Sequence, residues 1–346
     1  MVPSGTLLLS RHDVAQLLTL EHCIAAVETA FAAHARGETL GSGVLGLHVP
    51  GGGFHIKAAG LNQPALFAAK VNANFATNES RFGLPRIQGL IVLSDARHGY
   101  PLAVMHSVEI TALRTAAATA VATRHLARED SRVAAIIGCG RQSRLQLRAV
   151  AAARPIARAL ACDADEARAE RFAREMSAVL RIPVIVVADP AAAARQSDII
   201  VTCTSATGIV LRVGDVVPGA FIAALGADSD SKQEIDPALM ARAAVVPDLL
   251  EQAATIGDLH HALIAGAMTR QMVRAELGAV VAGLAAGRRN DEEVLLFDST
   301  GTAIQDVAAA AVVYERAIAR GYGQRADLLN GEAKRATPRP AFRITM

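Results

Sequence analysis

The sequence predicts an α/β protein, a Rossmann-type doubly wound parallel sheet joined to a mostly antiparallel α+β unit. Three observations carry that prediction. Beyond about residue 128, short apolar segments (RVAAIIG, ALACD, PVIVVAD, DIIVTCT, AFIAALGAD) alternate with helical stretches such as DEARAERFAREMSAVL. This is the pattern of parallel strands buried on both faces by the helices that connect them. Between RVAAIIG and a helical pattern lies Gly138-Cys139-Gly140-Arg141-Gln142-Ser143, a glycine pair at a strand-to-helix turn. The segments FHIKAA, LFAAKVNANF, IQGLIVLSD and YPLAVMHS are instead broken by Gly, Pro, Asn and Asp, as in antiparallel strands joined by tight turns.

Taken in order, Ile24, Val27 and Phe31 recur at helical spacing before Arg36 and Gly37, so a helix is expected from about 13 to 36. Glycines cluster at 41, 43, 46, 51, 52 and 53, ahead of the antiparallel segments. The string EITALRTAAATAVATRHLA, from Glu109, is rich in helix formers and lacks Gly and Pro, so a helix leads out of that sheet. After the alternating region a last strand, VLLFDST at 294–300, precedes a helix from about Ile304 to Arg320. The tail from Gly321, with Pro338, Arg339 and Pro340, is expected to be loosely ordered.

The chain of 346 residues has room for two domains. Its 35 basic and 33 acidic residues balance near +2, which argues against nucleic-acid or membrane-surface partners and for a small molecule. Aromatic residues are too scarce, at 3%, for base-stacking platforms. Four cysteines without CxxC spacing indicate neither a disulfide framework nor a zinc knuckle and fit a reducing cytoplasm. No apolar run approaches about 18 residues and the start lacks a leader pattern, so a soluble, unexported protein is expected. The histidines show no HxxxH or HExxH spacing, and no metal is expected.

In the glycine stretch, Gly138 and Gly140 stand where a dinucleotide fold needs a tight turn and close backbone approach to pyrophosphate. Ser143, at the third position, is small enough for helix and strand to pack. Residues from Gln142 onward, after Arg141, would aim helix N–H groups at phosphates. The next strand ends in Cys162-Asp163, about 20 residues beyond Ser143, where a carboxylate accepts bonds from an adenosine ribose and repels a 2′-phosphate. The expected cofactor is therefore NAD rather than NADP. The alternative for Asp163 is a cap on the helix starting at Asp165. Cys139 reads as a small filler rather than a reactive thiol.

AAKVNANF around Lys70, GLPRIQGLIVLSD, ALRTAAATA with Arg114 and Thr115, IIGCGRQ, LGADSDSKQEID around Asp228, and FDSTGTAIQD occur in that order. From about residue 10 to 322 the chain thereby resembles the ornithine cyclodeaminase and mu-crystallin family. The resemblance implies a substrate-binding and dimerisation domain (1–127), an NAD-binding Rossmann domain (128–300), a C-terminal segment (301–346) whose helix returns to the first domain, and a homodimer joined through the N-terminal sheets. It also implies that Arg114 and Lys70 hold the carboxylate of an amino or imino acid, that Asp228 meets the nitrogen that is released or reduced, and that Lys70 and Asp228 are the catalytic pair.

The residue types agree with these roles. An Arg fork suits a carboxylate, and Lys70 between Ala69 and Val71 is an odd place for an unpartnered charge. The alternative for both is a structural ion pair or a snorkelling stem. A carboxylate at the edge of the parallel sheet, such as Asp228, can stabilise an iminium and exchange its proton. Asp230 and Lys232 read as loop charges. Thr204 and Ser205, after DIIVTCT, and Thr115 are placed to line the cofactor pocket, although Thr and Ser are also common turn residues.

Two positions depart from the cyclodeaminases. Their arginine on the strand before the glycine turn aligns with Val44 or Leu45, and their amine-binding glutamate aligns best with His55. Lys57 shares a strand face with His55, so it is a candidate to replace the guanidinium, and His55 to relay a proton or to be a sheet-surface imidazole. The leading reading is an NAD-dependent oxidoreductase at the C–N bond of a small α-amino or α-imino acid. Ornithine cyclodeamination, to proline and ammonia, is the runner-up, and a crystallin-like dinucleotide binder without turnover is the third.

Overall fold

The computed structural model describes residues 5–328; the tail positions Pro338, Arg339 and Pro340 lie outside the described residues. The first sheet has seven strands: β1 (Thr6–Leu9), β2 (Thr39–Val49), β3 (Gly52–Leu61), β4 (Leu66–Asn74), β5 (Ile87–Asp95), β6 (Pro101–His106) and, from the far end of the chain, β16 (Gln324–Ala326). Their order is β16-β1-β6-β5-β4-β3-β2, with every pair antiparallel except β1 with β6.

The second sheet is wholly parallel and carries the nucleotide-fold topology. Its strands are β7 (Val133–Ile137), β8 (Arg158–Cys162), β9 (Val184–Val186), β10 (Ile199–Thr202), β12 (Phe221–Ala224), β14 (Ala244–Pro247) and β15 (Leu295–Asp298), in the order β14-β15-β12-β10-β7-β8-β9. A small parallel pair, β11 (Thr207–Leu211) with β13 (Gln233–Ile235), lies beside it. Strand order reverses between β7 and β10, which opens a crevice beyond their carboxyl ends. Every residue of β10, β12 and β15 is buried, as expected when helices cover both faces.

The helices that position the site are Leu20–Ala35, Ser107–Leu126, Ser143–Ala153 and Ala303–Arg320. The last of these returns from β15 and packs on β3 and β4. In β4 side chains alternate cleanly. Ala68, Lys70 and Asn72 point into this helical layer, while Phe67 and Val71 face outward and are exposed.

Three local expectations need correction. The single helix expected at about 13–36 is two, Arg11–Leu17 and Leu20–Ala35, bent by 82°. Thr19 takes an extended conformation between them and its hydroxyl accepts from the His22 N–H, so a cap interrupts the apolar period. The glycine cluster does not precede the sheet but is part of it, Gly41, Gly43 and Gly46 lying in β2 and Gly52 and Gly53 opening β3, and the pairing of β2 with β3 supplies the order that side chains do not. The strand AVVP (β14) had no distinctive sequence signal and was not expected. Among the described residues, no single helix is long and apolar enough to cross a membrane.

Candidate functional site

The crevice at the strand reversal is bordered by the glycine loop after β7 and by the segment after β10. Gly138 has φ +95°, and a Cβ there would lie 2.9 Å from the Cys203 carbonyl, so the first glycine is needed for the turn itself. Gly140 differs, because a Cβ there would meet no protein atom within 4 Å. It borders open space at the start of the helix Ser143–Ala153, where first-turn N–H groups have no intrahelical acceptors. The Ser143 hydroxyl donates to the Gly140 carbonyl at 2.6 Å and closes the loop onto the helix.

Asp163 lies under this loop. One carboxylate oxygen accepts from the Cys139 N–H at 2.7 Å, the other from the Asp165 N–H at 2.9 Å. Asp163 thus supports both the glycine loop and the entry to the following helix, whose own cap is Asp165. Its placement puts a negative charge beside the glycine turn, where an adenosine ribose binds in such folds. Burial pushes the Cys139 thiol up to about 12, so it is an inert filler.

Arg141 and Gln142 reach back to the helix Ser107–Leu126: Arg141 pairs with Glu109 at 3.2 Å and Gln142 Nε2 donates to the Ala112 carbonyl at 3.0 Å. Thr115, on the same helix, donates its hydroxyl to the Thr111 carbonyl. Beyond β10, the Thr204 N–H donates to Glu234 at 2.7 Å, and Ser205 is exposed.

The sheet register brings the cationic candidates together. Lys57 on β3 is directly opposite Lys70 on β4, on the inward face, and Val44 of β2 is opposite Lys57. Both lysines and Arg114 are buried. Lys70 and Arg114 contact Asp306, in the first turn of the helix Ala303–Arg320, a residue that the sequence reading did not single out, and Lys57 lies beside them. Lys70 Nζ is 2.5 Å from Asp306 Oδ2, and Arg114 Nε is 3.0 Å from Oδ1. Arg114 also donates to Gln305 Oε1 at 3.0 Å.

Lys57 Nζ donates to the Thr300 and Gly301 carbonyls at 3.1 and 2.5 Å. That loop is held by Asp248, which accepts from the Thr300 hydroxyl and the Gly301 N–H. Gly301 has φ +71°, and a Cβ on it would collide with the Arg114 guanidinium, so only glycine allows this approach.

The electrostatics follow from three buried cations close to Asp306, with Asp248 also acting on Lys57. Burial pushes the Lys70 ammonium down to about 7, with Asp306 opposing the shift and Arg114 and Lys57 adding to it. Lys57 is lowered for the same reasons, burial first and Arg114 next. Burial alone would raise Asp306, but Lys70 and Arg114 hold its carboxyl below the ordinary value. The cluster therefore carries surplus positive charge in a desolvated place, which suits a carboxylate guest.

Asp228 is not at the end of its strand. β12 stops at Ala224, and Asp228 stands four residues on, with a side chain 57% exposed and paired to Lys232 at 2.5 Å. Its charge acts on both His55 and Lys57, which share one face of β3. Lys232 is thus Asp228's ion-pair partner rather than an unattached loop charge. Burial keeps His55 below its ordinary value despite Asp228, leaving the imidazole neutral at pH 7.

The whole chain is similar in fold and sequence to dinucleotide enzymes of known structure. An archaeal alanine dehydrogenase dimer with bound NAD superposes with a TM-score of 0.90 at 35% identity, covering 94% of this chain and all of that one. The Δ1-pyrroline-2-carboxylate reductase of Thermococcus litoralis, in complex with NADH and L-proline, gives 0.88 at 34% identity over 93% of this chain and all of that one. The iminosuccinate reductase of Paracoccus denitrificans, in complex with NAD+, gives 0.87 at 32% identity over 94% of this chain and all of that one. The family model for the ornithine cyclodeaminase/mu-crystallin family matches residues 4–321, and the chain belongs to that family.

Proposed function

We propose that this protein is an NAD-dependent oxidoreductase acting at the carbon–nitrogen bond of a small α-amino or α-imino acid. The observation that supports this reading is the clustering of buried Lys70 and Arg114 on Asp306 with Lys57 held beside them by the Thr300-Gly301 turn, in a chain that also carries an open glycine turn at Gly140. NAD, when bound, supplies or accepts the hydride. The cradle from Gly138 to Ser143 would hold its pyrophosphate, Asp163 its ribose, and Thr204, Ser205 and Thr115 would border its nicotinamide half.

In the reductive direction, Arg114, Lys57 and Lys70 hold the substrate carboxylate and fix the imine carbon toward the crevice. Asp228, whose charge acts on His55, would stabilise the positive nitrogen of the iminium. One hydride adds to carbon and the nitrogen keeps its proton, giving the amine. Residues 1–127 with the returning helix form the substrate side, and residues 128–300 the cofactor side.

A neutral His55 where cyclodeaminases have a glutamate offers no anion to a second amine, so imine reduction is favoured over ornithine cyclodeamination. The test is NADH consumption, followed at 340 nm, with a cyclic imine such as pyrroline-2-carboxylate or with 2-oxo acids plus ammonia, against ammonia release from L-ornithine with NAD. Imine reduction should be faster, and slower with NADPH than with NADH. Proline formation from ornithine without imine reduction would replace this reading by cyclodeamination; NADH binding with no turnover would leave a binder.

The two glycines should separate folding from cofactor binding. Gly140→Ala adds a methyl group into open space, so its melting temperature should match the parent's while NADH binding weakens by about tenfold or more, from roughly 1.4 kcal/mol of steric conflict. Gly138→Ala should lower the melting temperature, because the methyl meets backbone at a positive φ.

Lys70 makes substrate binding pH-dependent. Above about pH 7 its free ammonium loses its proton, and an arriving carboxylate restores it. Binding at pH 8 should take up about one proton by linkage, measured by calorimetry in buffers of different ionisation enthalpy. At pH 6 the uptake should vanish, and kcat/KM should decline as pH rises above 7.

The outer face of the first sheet exposes Leu45, Leu47, Phe54, Phe67, Val71 and Leu90, side chains that register places on one face of β2 to β5, and exposed apolar faces of this kind mark interaction sites. We assign it to a homodimer interface, and the four free cysteines accord with a cytoplasmic protein. Val71→Glu with Leu90→Glu should weaken dimerisation by roughly a hundredfold or more, since each apolar side chain contributes about 1.5–3 kcal/mol when buried. Sedimentation velocity would read this directly.

A further inference from the structure

We propose that Glu234 is a positioning residue that fixes the loop carrying Asp228 relative to the segment bordering the nicotinamide. It is fully buried on β13, outside the carboxyl edge of the parallel sheet. Its carboxylate accepts three hydrogen bonds, each of 2.7 Å: Oε1 from the Thr204 N–H, and Oε2 from the Thr202 hydroxyl and the Gly226 N–H. Thr202 and Thr204 belong to the end of β10, and Gly226 to the segment between β12 and Asp228.

One group therefore ties together the segments that follow the neighbouring strands β10 and β12. Gly226 is the residue that permits it, because a Cβ there would overlap the carboxylate itself. Glu234 is anchored in turn, its N–H donating to buried Asp258 at 2.8 Å. Among the described residues no cation pairs with Glu234. Its three bonds come from two backbone N–H groups and one hydroxyl, a set that fixes main-chain positions rather than balancing charge.

This inference rests on the reading of Asp228 and Thr204 given above. A change in their separation is felt most in hydride transfer, where misplacement by about 1 Å costs on the order of a hundredfold. The pyrophosphate cradle at Gly138 to Ser143 is untouched.

The test compares Glu234→Gln with Thr202→Val in the full-length protein. A glutamine has the same shape but only one oxygen, so whichever way it turns, an amide donor faces a donor. Glu234→Gln should lower kcat by about tenfold to a hundredfold while the NADH dissociation constant changes less than about threefold. The primary isotope effect with 4-deuterated NADH should rise as the hydride step becomes limiting. Thr202→Val removes one bond but leaves both backbone tethers, so it should lower the melting temperature with kcat and isotope effect unchanged.

Amide hydrogen exchange supplies a readout independent of turnover. Protection at Thr204 and Gly226 should fall in Glu234→Gln and persist in Thr202→Val. If Glu234→Gln does not fold, Gly226→Ala, which displaces the carboxylate while keeping it, should give the same kinetic pattern. Unchanged protection of both amides, or a kcat loss accompanied by an unchanged isotope effect, overturns the proposal. Absence of turnover in the parent would overturn the proposed reaction instead, and exchange would still decide whether Glu234 holds the two loops.

Discussion

The constraint on which the site depends is the packing of three buried cations around buried Asp306, with buried Asp248 also acting on Lys57. Asp306 is contacted by Lys70 and Arg114, and Lys57 lies next to them. At an effective dielectric near 20, unit charges about 4 Å apart interact by roughly 4 kcal/mol, so removing the carboxylate would leave neighbouring cations in strong mutual repulsion. Breaking such a buried set by deleting one partner costs about 3–5 kcal/mol. The reading proposed above uses the same group of cations to receive a substrate carboxylate.

This packing also explains why the chain returns to its first sheet. Asp306 and Gln305 come from the helix that follows β15, the parallel sheet's last strand in the sequence. The Thr300-Gly301 turn between strand and helix provides the carbonyls that hold Lys57. The junction of the two sheets is thus built from the residues of the cation cluster and the turn that holds it. The geometry of the cation cluster and the placement of the nucleotide fold are fixed by the same hydrogen bonds, including those of Asp248 to the turn.

Buried carboxylates do a second kind of structural work at the edge of the parallel sheet. Glu234, Asp248, Asp258 and Asp298 are all buried there, and burial raises each of their carboxyl groups. Their partners are mainly backbone N–H groups in loops between strands and helices. In a fold whose function resides in loops beyond the strand ends, such acceptors substitute for the hydrogen bonds that regular structure no longer supplies. Asp163 does the same for the glycine loop. The ordered edge is what allows the exposed Asp228 loop to be held close to a buried cation cluster.

Much of this was legible in the sequence because its determinants are local. The parallel strands are runs of apolar residues, the cradle is a glycine pair between a strand and a helix, and Arg114 stands out in an alanine-rich helix. The sequence also placed Lys57 and His55 on one face, since alternation along a strand is a property of the strand alone. It did not reveal β2, whose glycines conceal the pairing, or the Thr19 cap that splits the first long helix. Asp306 was in view within FDSTGTAIQD, yet no spacing relates residue 306 to residues 70 and 114, which lie on other elements. Only the tertiary structure decided that Lys57 stands opposite Lys70, that Asp306 lies between Lys70 and Arg114, and that Glu234 bridges two strand ends. These are long-range relations set by sheet register and helix packing, and the energy of a charge depends on neighbours that the chain brings together only when folded.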